Sequence, residues 1–301
     1  MTYKEMKNIR IIGAGMAGLL ASNLIRNCTI FEQQAALPNN HHAVLRFRSN
    51  EIAYLFDIPF KTVQLIKAIE PWGNDVSASL AYSKKCSGFY RSDRSINLEA
   101  NSVTRYIAPT NFIELLASGK DIIYNSQFVR FDIRQEIHFI STIPMPSLMK
   151  MLGYKYIPAF QQIPGISIRA KVKNCEAYVS LIVPNPAIPI SRISITGDEM
   201  IIELPDLVET SRSLEEDMIS IATKLMGIDQ LDISAPQSFP QKYFKIQPID
   251  ELRRKKFMKW ASDEFNIYSL GRYACWRPGL LLDDLVKDIR KIQGWINGGF
   301  R

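Results

Sequence analysis

The sequence predicts an α/β protein in which a parallel sheet with helices, built from both ends of the chain, encloses an inserted antiparallel sheet. Three observations predict it. A strand, a glycine turn, a helix and a second strand follow one another within the first 32 residues. Residues 166–182 and 191–204 alternate apolar and polar side chains, the pattern of antiparallel strands with one polar face. From residue 249 onward a helical stretch, a short strand and a final helix return to the first pattern.

Composition narrows the class. The chain has 301 residues, 47% of them hydrophobic and 22% charged, which is enough apolar material for a large core. That excludes a disordered chain and a small disulfide scaffold. Cys28, Cys86, Cys175 and Cys275 are scattered with no C-x-x-C pair. They argue against a paired-cysteine zinc site or a dithiol redox centre and fit a reducing cytoplasm, the expected location. The net charge of +7 favours anionic ligands, whether phosphates or nucleic acid. The uncharged run 11–25 is interrupted by three glycines and soon followed by Glu32. It is too short to span a bilayer and lacks a convincing cleavage site, so neither a membrane span nor a signal peptide is expected.

In chain order, 7–12 reads as a buried strand, 13–18 as a turn, 16–27 as a helix and 28–32 as a strand. Residues 33–57 read as a loop that brings His41, His42, Arg46 and Arg48 together, and 60–69 as a helix. Residues 77–95 are polar and basic, and 109–117 has helical spacing with Thr110 or Asn111 as cap. Strands are expected at 121–124, 128–133 and 136–141, then a short helix at 145–152. After the antiparallel strands, which turn at Gly197-Asp198, an amphipathic helix is expected at 213–226, opened by a serine with acids in its first turn. A helix at 249–261, a strand at 267–270 and a helix at 280–296 complete the chain. Residues 1–75, 107–152 and 241–301 are assigned to a discontinuous nucleotide-binding domain, and 76–106 and 153–240 to a substrate domain.

Gly13-Ala14-Gly15-Met16-Ala17-Gly18 is a G-x-G-x-x-G pattern, placed after a strand and at the opening of a helix. Gly13 permits the tight turn, Gly15 lets a pyrophosphate approach the backbone, and Gly18 lets helix and strand pack closely. The helix N-terminus, with Met16 and Ala17, offers N–H groups and a positive dipole end to the phosphates. Glu32, followed by Gln33, ends the second strand where an acid hydrogen-bonds a ribose hydroxyl. Strand, helix and acid in register make this a Rossmann-like dinucleotide site, and the acid argues against a 2′-phosphate. The bland alternative is a structural glycine turn.

Asn266-Ile267-Tyr268-Ser269-Leu270-Gly271-Arg272-Tyr273, followed by Leu282-Asp283-Asp284-Leu285, resembles the closing motif of a flavoprotein superfamily. That superfamily contains UDP-galactopyranose mutase, protoporphyrinogen oxidase and the amine oxidases, and the mutase resemblance is closest. The segment from Phe128-Val129-Arg130 to Thr142-Ile143-Pro144 looks like its adenine-gripping strand region. The resemblance covers roughly the first 32 residues, 121–152 and 265–290. It implies FAD as cofactor, lying extended, with Val129 at the adenine and the isoalloxazine between the domains. Gly271 and Arg272 would serve the pyrophosphate or ribityl chain, and the helix start at Leu282 and Asp283 the flavin pyrimidine. A surface ion pair is the rival role for Arg272, and helix capping the rival role for Asp283 and Asp284.

Arg46 is a candidate contact to the FAD pyrophosphate or to an anionic substrate. Arg48, Tyr273 and Trp276 are candidate substrate contacts, the last two as an aromatic wall with core packing as the equal rival. Nothing in the sequence lowers the Cys275 pKa. Adjacent His41 and His42 point apart on a strand, and no third ligand is spaced to join them or His138, so no metal is expected. Lys84, Lys85, Arg91, Arg94 and Arg105, interleaved with Phe89, Tyr90 and Tyr106, and the run 253–256 could meet nucleic acid or form solvated faces.

The expected function is an FAD-dependent oxidoreductase that moves hydride from an amine or other small molecule to flavin N5, with no catalytic residue assigned. The first alternative is a mutase-like transferase or isomerase using reduced flavin as a nucleophile. The chain's length and a middle without a sugar-nucleotide pattern stand against it. Two others are a flavoenzyme acting on nucleic acid and a relic that keeps the fold.

Overall fold

In the computed structural model the described residues are 8–37, 45–91, 101–134, 136–207 and 209–298. The chain opens with β1 (Asn8–Ile12), α1 (Met16–Leu24) and β2 (Cys28–Phe31). Next come β3 (Arg46–Phe47), α2 (Glu51–Phe56), β4 (Lys61–Ile69), α3 (Asp75–Ser87) and β5 (Asn101–Ile107). Then follow α4 (Phe112–Ala117), β6 (Ile122–Ile123), β7 (Ile137–Ser141) and α5 (Met145–Leu152). The middle is β8 (Gln162–Val172), β9 (Ala177–Ile182), β10 (Arg192–Gly197), β11 (Glu199–Pro205), α6 (Arg212–Met226) and β12 (Ile233–Ile246). The chain ends with α7 (Glu251–Phe265), β13 (Ile267–Ser269) and α8 (Leu285–Gly298).

The first sheet has the order β13-β7-β1-β2-β6, and every pairing in it is parallel. A parallel sheet is covered on both faces, so its strands are apolar throughout. Successive residues of β1 show why. Ile11 enters a core shared with Leu19 and Leu20 of α1 and Ile289 and Ile292 of α8. Ile12 points the other way, into a core with Leu148 and Met149 of α5 and Phe257 of α7.

The second sheet has the order β12-β8-β11-β10-β9-β4-β5-β3. Its pairings are antiparallel except that of β4 with β9. On one face Ile168, Ile193, Ile195, Ile202 and Leu204 pack against Met218, Ile219 and Ala222 of α6. The register places Lys67, Ser180, Ser194, Arg192 and Glu203 on the opposite face. The α6 helix is capped by the Ser211 hydroxyl, which accepts from Leu214 N, rather than by the expected Ser213.

Several expectations are corrected. Residues 60–69, expected as a helix, form strand β4, because Val63 and Leu65 are buried on one face while Gln64 and Ile66 are exposed on the other. The strand expected at 128–133 is a loop and a short 3-10 turn. There the Asp132 carboxylate accepts from Val129 N at 2.8 Å, bending the chain back on itself. The expected loop 33–57 contains β3 and α2 in its described part, and α3 fills the start of the polar region 77–95. Strands β3 and β4, expected in the nucleotide-binding domain, pair into the second sheet, and β12 crosses the expected boundary at 240/241. Among the described residues no helix is long and apolar enough to cross a membrane.

Lys85, in the last turn of α3, fastens that helix to the second sheet. The three N–H groups of its ammonium are shared among the carbonyl oxygens of Val183 (2.8 Å), Asn185 (2.7 Å), Ile188 (2.9 Å) and Ile190 (3.0 Å). Burial pulls its pKa down to about 8, and the four carbonyl dipoles favour the charged form. Lys85→Met removes this donor from four carbonyls, which costs about 1–3 kcal/mol. The expected outcome is a lower urea midpoint, and an unchanged midpoint would show that the 183–190 loop does not depend on the ammonium.

At the other sheet, a Cβ on Gly18 would overlap the Gly13 carbonyl oxygen and come within 3.3 Å of Ile11 Cγ2. Gly18→Ala is therefore expected to destabilise the fold by about 1–3 kcal/mol through overpacking. Thermal unfolding of the variant at matched concentration reads this directly.

Candidate functional site

The turn between β1 and α1 is shaped by its glycines in two different ways. Gly13 has φ +97°, and a Cβ there would overlap the Thr142 hydroxyl. That hydroxyl donates to Ile12 O at 2.7 Å, and Gly13 N donates to Phe31 O at 2.8 Å, so the end of β1 is held from both neighbouring strands. Gly13 and Gly18 are thus required by the fold itself. Gly15 is not: nothing lies within 4 Å of where its Cβ would be. Gly15 caps α1 without a side-chain hydrogen bond, and the first turn carries no acid. The positive end of the helix dipole and its opening N–H groups therefore meet open space, the arrangement that receives paired phosphates. Met16 is buried in the first core, and Ala17 stands behind Gly15 in the first turn.

Glu32 follows β2 and is 6% exposed. Its carboxylate accepts from Ala14 N at 2.7 Å and from Gln34 N at 2.9 Å. Two carboxylate oxygens carry about four acceptor sites, so both remain able to accept a ribose hydroxyl. Gln33 beside it is exposed. The segment leading to Val129 runs along this acid, with Ser126 N donating to Glu32 O at 2.8 Å. Val129 is 41% exposed, and its own N–H and carbonyl are both used by Asp132. Its side chain is therefore the part left exposed.

The C-terminal segment closes over the turn. A Cβ on Gly271, at φ +98°, would lie 3.1 Å from the Ala17 Cβ, so residues 270–272 cross the first turn of α1. Arg272 follows directly. Leu282 packs on the first core, and the Asp284 carboxylate caps its own turn by accepting from Leu281 N at 2.9 Å. Asp283 has another role. Its Oδ1 accepts from Arg48 N and Ser49 N, each at 2.9 Å, and from Ser49 Oγ at 3.2 Å. This carboxylate joins the start of α8 to the chain leaving β3, and so joins the two sheets.

The aromatic candidates separate. Tyr273 lies 5.5 Å, ring to ring, from Tyr243 and donates its hydroxyl to Tyr243 O at 2.9 Å. Burial raises its pKa. Trp276 is 1% exposed, donates its indole N–H to Gln247 O at 2.8 Å and packs edge-on against Phe160. The structure places Trp276 in the core, the rival to a substrate-facing role. Cys275 donates to Ser269 O, and burial pushes its pKa up to about 12, which keeps the thiol protonated.

Arg46 in β3 is more informative than its sequence context indicated. Its Nη1 is buried with no hydrogen-bond partner. Burial, and then the like charge of Arg192, pull its pKa down to about 10. Arg192 was not singled out by the sequence. It pairs with Glu203, whose other oxygen accepts from Lys245 at 3.1 Å. Burial pushes the Glu203 carboxyl up, but Arg192 and Lys245 together pull it further down, to about 2. The available signal was one arginine and one glutamate at positions that the alternation of β10 and β11 places on the face away from Ile193, Ile195 and Ile202.

Nothing among the described residues supports a nucleic-acid face, and several residues of the basic runs have partners within the chain. Lys85 is turned inward, Arg254 is buried against Glu251 and Cys275 O, and Lys255 pairs with Glu251. Arg91 reaches Gln247, and Lys84 lies over the Tyr90 ring. Such contacts explain these residues without nucleic acid. His41, His42 and Arg94 lie outside the described residues. Among those described, no three His, Cys, Asp or Glu side chains are grouped to hold a metal ion.

The sequence matches no family model and no curated protein. The fold does have solved counterparts. Reduced UDP-galactopyranose mutase superposes with a TM-score of 0.69 at 14% identity, over 97% of this chain and 94% of the mutase. Glycine oxidase from Bacillus cereus gives 0.58 at 13% identity, over 96% of this chain and 95% of the oxidase. Aklavinone-11 hydroxylase, solved with FAD and aklavinone, gives 0.55 at 11% identity, over 99% of this chain and 64% of the hydroxylase. The 94% coverage of the mutase removes chain length as an argument against that resemblance. At these identities the likeness is one of fold, and the chain has the two-domain fold of FAD-dependent flavoproteins.

Proposed function

We propose that this protein is an FAD-binding flavoenzyme, an oxidoreductase that takes hydride from an amine or another small molecule. The observation that carries the proposal is the open space at Gly15. It lies at the start of a helix with neither a side-chain cap nor an acid, between two glycines that the fold requires. The residues present fit the cofactor. Amides of residues 13–18 would hold the pyrophosphate, Glu32 the ribose, and the Val129 side chain the adenine. Gly271, Arg272 and the 282–284 turn would serve the flavin end. The bound flavin would supply the electron sink at N5, and the chain supplies position and field. Asp283 holds the strand-to-helix connection of one sheet against the helix start of the other, which fixes the walls on either side of that end. Tyr273, with its hydroxyl tied to Tyr243 O, presents an immobile ring edge there.

A second reading has one observation in its favour. The mutase matches nearly the whole chain at the highest TM-score among these three counterparts. A mutase-like transferase or isomerase would use reduced flavin N5 as a nucleophile and finish without net redox.

The visible spectrum of the purified or FAD-reconstituted protein tests the cofactor. Anaerobic reduction by candidate amines, against turnover that needs prior dithionite reduction, then separates the two reactions. Gly15→Val fills the open space without touching the fold. It is expected to lower FAD affinity at least about tenfold, about 1.4 kcal/mol, with the unfolding temperature of the FAD-free protein unchanged. A colourless protein that takes up no FAD would overturn the reading.

A further inference from the structure

The face of the second sheet that α6 does not cover mixes charged and polar groups with apolar ones such as Val63 and Leu65, and several of its polar groups are unsatisfied. Residues paired directly across strands share a face, as do residues two apart along a strand. By that rule Arg46, Arg105 and Asn101 lie on one face through the β3–β5–β4 register. The β4–β9–β10–β11 register places Arg192, Thr196 and Glu203 on the same face. Buried atoms without a hydrogen-bond partner recur on it: Arg46 Nη1, Arg192 Nε, Asn101 Oδ1 and Thr196 Oγ1.

The charges on this face do not balance. Arg192 and Lys245 share the single carboxylate of Glu203. Arg46 and Arg105 add two more cations, and each is perturbed downward by burial and by a neighbouring arginine. Arg46 and Arg192 are half-buried, and like charges partly withdrawn from water are unfavourable unless an anion joins them. The Arg105 end of the face is also within the electrostatic reach of Asp283, so it adjoins the turn assigned above to the flavin end.

We propose that this face is the substrate-binding wall and that it takes a small molecule bearing an oxyanion, held by Arg46 and Arg192. Guanidinium N–H groups donate well to planar or tetrahedral oxyanions, and the buried donors left without a partner on this face are Arg46 Nη1 and Arg192 Nε, the Arg192 Nη2 being held by Glu203. Asn101 and Thr196 accept or donate to polar groups beside the anion. The assignment of this wall to the substrate rests on the flavoenzyme reading, but the anion site itself does not.

The test is isothermal titration of the protein with inorganic phosphate and, separately, with acetate at low ionic strength. Each is run on FAD-saturated protein, in which the glycine turn is filled, and on FAD-free Gly15→Val. Wild type is expected to bind one of the two. Tighter phosphate binding assigns a phosphate-bearing substrate, and tighter acetate binding a carboxylate-bearing one. Arg46→Gln is expected to weaken that binding at least about tenfold with FAD content unchanged. The charge-balanced pair Arg192→Gln with Glu203→Gln should do the same, and Arg46→Lys should recover part of the loss while confirming that the site folds. Binding of neither anion overturns the proposal, as does wild-type affinity in both Arg46→Gln and the paired variant. Loss of FAD in place of anion binding in Arg46→Gln also overturns it and assigns that arginine to the flavin phosphates. If the protein takes up no FAD, the Gly15→Val titration still reads the anion site, so the two failures are distinct.

Discussion

The close approach of Gly18 to the Gly13 carbonyl is the constraint on which the rest of the structure depends. It lets α1 start directly at the end of β1 and lie flat on the sheet, with Leu19 and Leu20 in the core beside Ile11. Because the approach is made by backbone, no side chain occupies the mouth of the turn. The same geometry that closes the core therefore leaves the helix dipole facing outward beside Gly15. Stability and ligand access are divided among neighbouring glycines, two serving the first and one the second.

From that turn the architecture extends in two directions. Toward Glu32, backbone amides hold a carboxylate in place while leaving acceptor capacity free. Toward the C-terminus, the chain crosses α1 at Gly271 and reaches Asp283, whose carboxylate clasps the segment leaving β3. That clasp sets the second sheet against the first. It also brings Arg105, one of the charged residues on the face shared with Arg46 and Arg192, within the electrostatic reach of the Asp283 carboxylate. A surface of this kind is unfavourable for folding alone, and perturbed groups of this sort concentrate where ligands bind.

Local misreadings had physical causes. Residues 60–69 carry apolar side chains at 63, 65, 66 and 69, which suit a helix and a strand alike, and short apolar runs do not separate the two. Pairing with β5 and β9 decided for the strand. At 128–133 the apolar residues suit a strand, but one aspartate accepting from Val129 N ends it. Trp276 looked like a wall residue from its place after Gly271-Arg272, and the depth of the core behind β12 was needed to see it buried.

The opening strand–turn–helix–strand unit, the acid at its end, the closing strand and helix, and the split between parallel and antiparallel regions were legible from residue spacing. These rest on residues close together in the chain, where spacing and turn chemistry are local. Strand pairing across the second sheet was needed to see that Arg46 and Arg192 share one of its faces. Tertiary structure also decided that Asp283 serves as a clasp and that Lys85 and Arg254 turn inward. Each of those depends on partners far away in the chain, and burial converts an ordinary charged side chain into a paired or an unsatisfied one only after the fold has brought them together.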